Sequence, residues 1–422
     1  AAGIDFHSDM NPVLLKPENT IGSQVILNGK KYKSLKAREY YSHKDEFLAV
    51  AIKSFRNLLN KFDIVIAEGA GSLAEVNLRK SDIANMGFAT ALSVPVIVVA
   101  DIERGGVIAQ LIGTKAVLDQ KDINLIEGFI INKFRGDQSL FDDGVTFINN
   151  KTDWKSFGVM PFFDKAKLFP AEDSQDLKNS FGTGKCVISV LKLSRIANFD
   201  DFDPLKIDKR LKLRFVEPGN PIPADTKLII IPGTKSTIAD LNFLKSQGWD
   251  IDIRAHLRRG GFILGICGGY QILGNEITDG QGYDGIPSNA KGLGLLDVQT
   301  TMGKEKNLGK KEFISTINGK KISGYEIHLG ITSGSDCNKP FATLSERKDG
   351  AISSNGLVMG TYLHGLFFSD EFRNKFVAKI SSKETEEDVS FNDKIDFILE
   401  EFVNVLEDNL DVDSILSSAR NI

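Results

Sequence analysis

Residues 261–274 read Gly261-Phe262-Ile263-Leu264-Gly265-Ile266-Cys267-Gly268-Gly269-Tyr270-Gln271-Ile272-Leu273-Gly274. An apolar run ends in Gly-x-Cys-x-Gly, and the residues that follow can form a helix. This is the strand, tight turn and helix of a nucleophile elbow, with Cys267 in place of serine. Small neighbours matter because a side chain at the crest of a sharp turn is reachable only where adjacent residues leave room. A helix starting behind Cys267 stabilises a thiolate and turns backbone N–H groups toward an oxyanion. The same residues also read as a core cysteine beside a glycine turn.

Working outward, short β-branched runs recur before glycine or polar loops. In the second half, residues 185–191, 227–231, 261–266 and 357–362 read as central strands, and 236–247 and 251–259 as helices between them. In the first half, residues 63–67 precede Glu68-Gly69-Ala70-Gly71, 94–100 precede Asp101, and 125–131 precede Asn132. These read as buried parallel strands with ligand-facing carboxyl ends, joined by helices over 46–60 and 107–118. The periodicity weakens over 161–184, which puts a domain boundary near residue 180 and gives domains 1–180 and 181–422. Both are expected to be α/β, the second with three layers. Polar, Gly-rich 278–292 reads as an excursion around a site. From Glu387 onward an acidic helical tail carries Ile395, Ile398, Leu399, Phe402 and Leu406 at helical spacing.

At 422 residues and about 150 per domain, two or three domains are expected. Lys plus Arg number 52 against 56 Asp plus Glu, a formal charge of -4, which argues against a chain held mainly by nucleic-acid phosphates or an anionic membrane surface. Apolar runs such as 94–100 are far too short to span a bilayer. No nucleic-acid or membrane partner is therefore expected. Cys186, Cys267 and Cys337 are scattered and odd in number, which supports neither a disulfide scaffold nor a zinc site and fits a reducing cytoplasm. The chain opens Ala1-Ala2-Gly3 without Met, so it is expected to begin inside a longer polypeptide.

A cysteine nucleophile needs a proton acceptor, and five histidines are available: His7, His43, His256, His328 and His364. His364 follows a strand-like run and so stands at a strand's carboxyl end, where it can meet Cys267. His328 is the second candidate, with Glu326 on the same side of an alternating strand. The loop Pro232-Gly233-Thr234-Lys235-Ser236-Thr237 lies between a strand and a helix. Its N–H groups, Gly233 foremost because glycine permits close approach, suit an oxyanion hole; a glycine turn with a Ser or Thr cap is the competing reading.

Several longer motifs are more specific than the elbow. The first half carries His7-Ser8-Asp9-Met10-Asn11-Pro12, Glu68-Gly69-Ala70-Gly71-Ser72, Asn77-Leu78-Arg79 followed by Asp82-Ile83-Ala84-Asn85-Met86-Gly87, Asp101-Ile102-Glu103-Arg104-Gly105-Gly106, and Asn132-Lys133-Phe134-Arg135-Gly136. The second half adds Asn198-Phe199-Asp200-Asp201-Phe202-Asp203-Pro204, Gly324-Tyr325-Glu326-Ile327-His328-Leu329-Gly330, and Gly360-Thr361-Tyr362-Leu363-His364-Gly365-Leu366-Phe367. With these, nearly the whole chain resembles the cobyric acid synthase family, the glutamine-hydrolysing, ATP-dependent amidases of corrinoid biosynthesis.

The resemblance implies a P-loop synthetase domain similar to dethiobiotin synthetase, followed by a class I glutamine amidotransferase domain. It places the catalytic pair on Cys267 and His364, with backbone groups near Gly233 and Gly268 at the oxyanion. Ordinary class I amidotransferases carry Glu two residues after the base; here that position is Leu366, so the third member of the arrangement is open. Glu68 becomes a candidate Mg2+ ligand beside ATP phosphates, because magnesium takes oxygen ligands. Asn132 and Lys133 take the place where related enzymes read the base. Arg79, Asp82, Asn85 and Asp101 are assigned to ATP or corrinoid carboxylates.

The resemblance further implies adenosylcobyrinic acid a,c-diamide, ATP and glutamine as substrates, four successive amidations, and a possible homo-oligomer. One departure stands out: Gly-x-x-x-x-Gly-Lys-Ser/Thr is missing. Phe181-Gly182-Thr183-Gly184-Lys185-Cys186 is no substitute, because its glycines are too close and a Cys follows Lys185. The family places its phosphate loop upstream of Ala1. The competing readings are a cobyrinic acid diamide synthase acting on the earlier substrate, and a non-synthetase binding protein should the loop be truly absent.

Overall fold

The computed structural model describes residues 3–17, 22–169, 180–381 and 389–419. It divides into two compact units, Ala1–Asp164 with Ile398–Ile422, and Lys165–Phe397. The division therefore falls at 164/165 rather than near 180, and the end of the tail belongs with the first unit rather than the second. Local pairing explains this. Gly158 bridges Leu410, Asp411 N donates to Phe157 O at 2.8 Å, and Lys155 Nζ lies 2.8 Å from Asp411 Oδ2. A Cβ at Gly158 would lie 2.1 Å from Asn409 O, and its φ of +131° is one that L-residues rarely adopt. The expected tail helix forms as Phe391–Asn409, with Ile398 buried on its apolar stripe. Glu387 lies outside the described residues.

In the first unit, Val96–Asp101, Ile126–Phe134 and Lys155–Pro161 form a parallel sheet in that order. Helices Val107–Val117 and Asp142–Thr152 supply Val107, Leu111 and Ile148 to its core, against Phe129 and Ile131. A separate antiparallel sheet, Val13–Pro17, Gly22–Leu27 and Lys30–Lys36, packs Val25 and Leu35 against Phe47 of helix Lys44–Leu59. The strand expected over 63–67 is not formed. Those residues pair with no strand among the described residues, and Ile64 and Ile66 are 49% and 89% exposed. A β-branched run without a ladder partner keeps its backbone hydrogen bonds with water instead.

The second unit is built on a seven-stranded sheet. Its order is Ala351–Ile352, Val358–Thr361, Phe262–Ile266, Thr226–Ile231, Cys186–Leu191, Leu211–Val216 and Ser180–Phe181. The five inner strands are parallel. Alternation sorts their side chains: Leu228, Ile230, Leu264 and Ile266 face one core, and Ile229, Ile231 and Ile263 the other. Helices Thr237–Ser246, Trp249–Arg258 and Gly268–Leu273 cover one face, and Asp370–Ser381 covers the other with Phe372, Phe376 and Val377. The expected three layers and both expected helices are present.

A further sheet runs Ser288–Lys291, Glu276–Asp279, Gln299–Ser315, Lys321–Ser333 and Leu363–His364. It brings Tyr325 into register with His364. The Gly182–Gly184 turn is packed on the sheet: Gly184 N donates to Leu211 O at 3.0 Å, and a Cβ at Gly184 would lie 2.1 Å from the Arg210 carbonyl carbon. It has no room for phosphate.

Candidate active site

Cys267 sits between strand Phe262–Ile266 and helix Gly268–Leu273 with φ +53° and ψ −110°. A non-glycine residue in that region is strained, and the surrounding structure must hold it there. Here the restraint is a backbone hydrogen bond from Cys267 N to Thr361 O at 2.8 Å and a helix that closes immediately behind it. Gly265 and Gly269 make the turn possible. A Cβ at Gly269 would lie 2.0 Å from Ile231 O, and one at Gly265 would lie 2.6 Å from the Gly269 backbone. Cys267 itself is 9% exposed, and its Sγ is 3.5 Å from the Ile327 carbonyl oxygen.

The strand partner of Phe262–Ile266 is Val358–Thr361, with Ile266 opposite Thr361. His364 follows three residues later and is fully buried. Its Nδ1 lies 2.7 Å from Asp201 Oδ2, and the other carboxylate oxygen of Asp201 accepts from Gly365 N at 2.6 Å. Tyr325 stacks on the imidazole with centroids 5.3 Å apart, and its hydroxyl accepts from Asn198 Nδ2 at 2.9 Å. The Nε2 atom has no hydrogen-bond partner among the described residues. Burial disfavours charge on this ring, but the Asp201 carboxylate and then the Cys267 sulfur outweigh it and push His364 up to about 10. The arrangement is a cysteine, a histidine and a buried carboxylate that fixes the histidine's tautomer.

The 232–237 loop completes the surroundings. A Cβ at Gly233 would lie 3.0 Å from His364 Cε1, and one at Gly268 would lie 2.6 Å from Thr234 Cγ2, so Gly233 borders the base and Gly268 borders the loop. Ala197 N donates to Gly233 O at 2.9 Å, and fully buried Asp240 accepts from Thr234 Oγ1, Ser194 Oγ and Arg195 N. The 278–292 excursion forms a hairpin of Glu276–Asp279 and Ser288–Lys291. Its tip sets Asp284 on the start of helix Thr237–Ser246, accepting from Thr237 N, while Ser236 Oγ donates to Asp284 O at 3.0 Å. Burial pushes Asp284 up to about 6.

His328, the second candidate base, is placed differently. It stacks on Tyr362 at 3.7 Å, burial pushes it down to about 4, and Glu326 pairs with Arg347 rather than with it.

Asp201 was missed in sequence although its motif stands out. Asp200, Asp201 and Asp203 compete within four positions, and 163 residues separate Asp201 from His364. Asp203 is instead paired with buried Lys206 at 2.5 Å.

In the first unit, Asp101 and Asn132 face each other at the carboxyl ends of adjacent strands. Lys133, at φ +65°, lies 2.7 Å from Asp101, and this ammonium holds the Asp101 carboxyl below its ordinary range. Asn85 clamps the 68–71 loop by accepting from Ala70 N at 3.1 Å and donating to Ala70 O at 2.8 Å. Glu68 is exposed on that loop. Asp82 accepts from the backbone of Ala84, Asn85 and Gly87, so its oxygens are used in holding the turn. Arg79 grips buried Asp122 with both Nε and Nη2, at 2.6 and 2.7 Å. Glu68 is thus exposed, Asp101 and Lys133 pair with each other at the strand ends, and Arg79 and Asp82 hold Asp122 and a backbone turn. Among the described residues no three His, Cys, Asp or Glu side chains converge as a metal cluster. A single exposed carboxylate still suits Mg2+ that takes its remaining ligands from phosphate and water.

No helix among the described residues is long and apolar enough to cross a membrane. Residues 187–372 match the CobB/CobQ-like glutamine amidotransferase domain, and residues 26–167 match an AAA domain. A glutamine amidotransferase crystal structure superposes with TM-score 0.36 at 17% identity, over 46% of this chain and 98% of that one, too loosely to carry an argument. Sequence relatives are much nearer. The chain is 50% identical to cobyric acid synthase of Bradyrhizobium diazoefficiens over 420 residues, covering 100% of this chain and 87% of that protein. It is equally identical, with the same coverage, to cobyric acid synthase of Cereibacter sphaeroides. With half of all positions shared from one end of the chain to the other, and a cysteine elbow facing a carboxylate-held histidine in the amidotransferase half, the chain belongs to the cobyric acid synthase family.

Proposed function

We propose that this protein hydrolyses glutamine at Cys267 and uses the nitrogen for ATP-dependent amidation of corrinoid carboxylates, with adenosylcobyrinic acid a,c-diamide as acceptor. The observation that carries the reading is His364, oriented by Asp201 at 2.7 Å and bordered by Gly233, beside a cysteine held in a strained elbow. Asp201 and Cys267 push His364 up, so the ring takes the Cys267 proton and leaves the thiolate that a sulfur nucleophile needs.

The thiolate attacks the glutamine carboxamide carbon, and the oxyanion is received by backbone N–H groups near Gly233 and Gly268. His364 Nε2 gives its proton to the departing nitrogen, which leaves as ammonia with the thioester behind. His364, now neutral, takes a proton from water, and hydroxide releases glutamate and regenerates the thiol pair. One glutamine and one water yield one glutamate and one ammonia.

In the first unit the acceptor carboxylate displaces ADP from the ATP γ-phosphoryl, and ammonia then displaces phosphate to form the amide. Lys133 and Asn132 stand at the strand ends where the nucleotide is read. Mg2+ held by Glu68 and phosphate oxygens would neutralise the phosphate charge as it is transferred.

The test is mass-resolved amidation with glutamine or ammonium as nitrogen source, offered cobyrinic acid or its a,c-diamide. Cys267→Ala is expected to abolish glutamine-driven amidation and to leave ammonia-driven amidation intact. Glutamate formation by that variant would overturn the assignment, and amidation of cobyrinic acid alone would move the substrate to the earlier step.

A further inference from the structure

Within the second unit, residues 195–201 run from the loop that borders His364 to the carboxylate that holds it. Lys235 N donates to Arg195 O at 3.0 Å, Ile196 bridges Thr234, and Ala197 N donates to Gly233 O at 2.9 Å. Three consecutive residues are thus laced to the 232–237 loop. The chain then turns at Asn198, at φ +53° and ψ +44°, and enters the short helical turn Phe199–Phe202 that carries Asp201. Asparagine is one of the few residues besides glycine that take this left-handed conformation readily. Asp201 N donates back to Asn198 O at 3.1 Å, which closes the turn.

Asp201 holds only one corner of the His364 ring. A hydrogen bond at Nδ1 fixes that nitrogen, but a ring held there alone can tip, and tipping swings Nε2 away from its line of action. The face of the ring is set by Tyr325, which lies within 19° of parallel with centroids 5.3 Å apart and is brought there by its strand register with His364. Tyr325 also forms part of the wall of a hollow of about 550 Å3, together with Gly324, Gly365 and Phe368, so packing on that side of its ring is incomplete. The restraint on its far end is Asn198, whose Nδ2 donates to the Tyr325 hydroxyl oxygen at 2.9 Å.

We propose that Asn198 is a positioning residue for glutamine hydrolysis, fixing the Tyr325 ring and through it the plane of His364, in register with the loop to which Ala197 is bonded. The inference rests on the reading of Cys267 and His364 as the hydrolytic pair. Asn198 acts through Tyr325, so its loss leaves the sulfur, the imidazole and the Asp201 carboxylate in the protein and removes only their alignment. A misplacement of about 1 Å at a reacting atom can lower a rate by about 10²-fold. Alignment of a proton-transfer group matters in the transition state, so the effect falls on kcat rather than on the binding of glutamine.

The test measures glutamine hydrolysis by the full chain, with competent sites counted by a glutamine analogue whose side chain carries an electrophile that alkylates Cys267. Asn198→Gly removes the amide and keeps the left-handed turn, and Tyr325→Phe removes the hydroxyl and keeps the ring. Each is expected to lower kcat per counted site by about 10- to 100-fold, with KM for glutamine little changed. Both variants break the same hydrogen bond, so the double variant is expected to be no slower than the slower single one. Losses that multiply in the double variant would overturn the proposal, because the two side chains would then act separately. Full kcat in Asn198→Gly would defeat it outright, and a raised KM with kcat kept would replace it with a role in holding glutamine. Fewer countable sites with kcat per site unchanged would reduce Asn198 to a packing residue. If wild type forms no glutamate, the Cys267 reading falls and the proposal with it, whereas each of the other outcomes leaves that reading standing.

Discussion

In the proposed reading, Asp201 turns a cysteine and a histidine into a working pair. Without its carboxylate the Nδ1 proton has no acceptor, the ring can adopt the wrong tautomer, and the main force raising its proton affinity is gone. Asp201→Asn is therefore expected to lower glutamine hydrolysis by about 10²- to 10⁴-fold, while ammonia-driven amidation is kept. A full-strength glutaminase in that variant would sink the role. Cys267 and His364 were legible in sequence because the turn around Cys267 and the strand before His364 are local patterns. Asp201 was legible only as one of three nearby carboxylates, since the selection is made by a contact closed across 163 residues. Arg79 and Asp82 also hold the fold, by gripping Asp122 and a backbone turn, contacts that the spacing of their motif does not display.

Among elements, the elbow is where sequence and structure agree most closely. Its glycines leave room for a backbone crossing that no side chain would permit, so the spacing alone fixes the geometry. Gly269→Ala would press a methyl against Ile231 O and is expected to cost at least about 1–3 kcal/mol, read as a lowered urea midpoint. An unchanged midpoint would show that the helix can move away without penalty. Residues 63–67 teach the reverse lesson. Their β-branched pattern is close to that of residues 96–101, but a pattern proposes a strand and only a neighbouring strand completes it. For the same reason the carboxyl-terminal helix was visible from its periodicity, while the strand-end bridge that seats its last turn was not.

Over the whole molecule, buried carboxylates set how stability responds to pH. Burial pushes Asp349 up to about 7 from an ordinary value of 3.8, so between these limits the folded state binds a proton that the unfolded state does not. Its contribution therefore falls as pH rises through that window. His364, raised from 6.5 to about 10, contributes stability that is complete below 6.5 and lost as pH climbs toward 10. Asp349→Asn is expected to gain in urea midpoint relative to wild type as pH is raised from about 5 to about 8. A difference constant across that range would remove Asp349 from the account. Deletion of residues 410–422 is expected to loosen the first unit alone, seen as faster proteolysis within 3–164 with glutamine hydrolysis unchanged.

The return of the final residues to the first unit has a consequence for the order in which the protein is made. Chains emerge amino end first, and domains fold as they are completed. Here the amidotransferase unit is whole before the segment that bridges Gly158 and ties down Lys155 has left the ribosome. The first unit therefore closes only after the amidotransferase unit is complete. A premature stop anywhere in the last stretch would release a chain with a finished glutaminase and an open synthetase, one that consumes glutamine without building product.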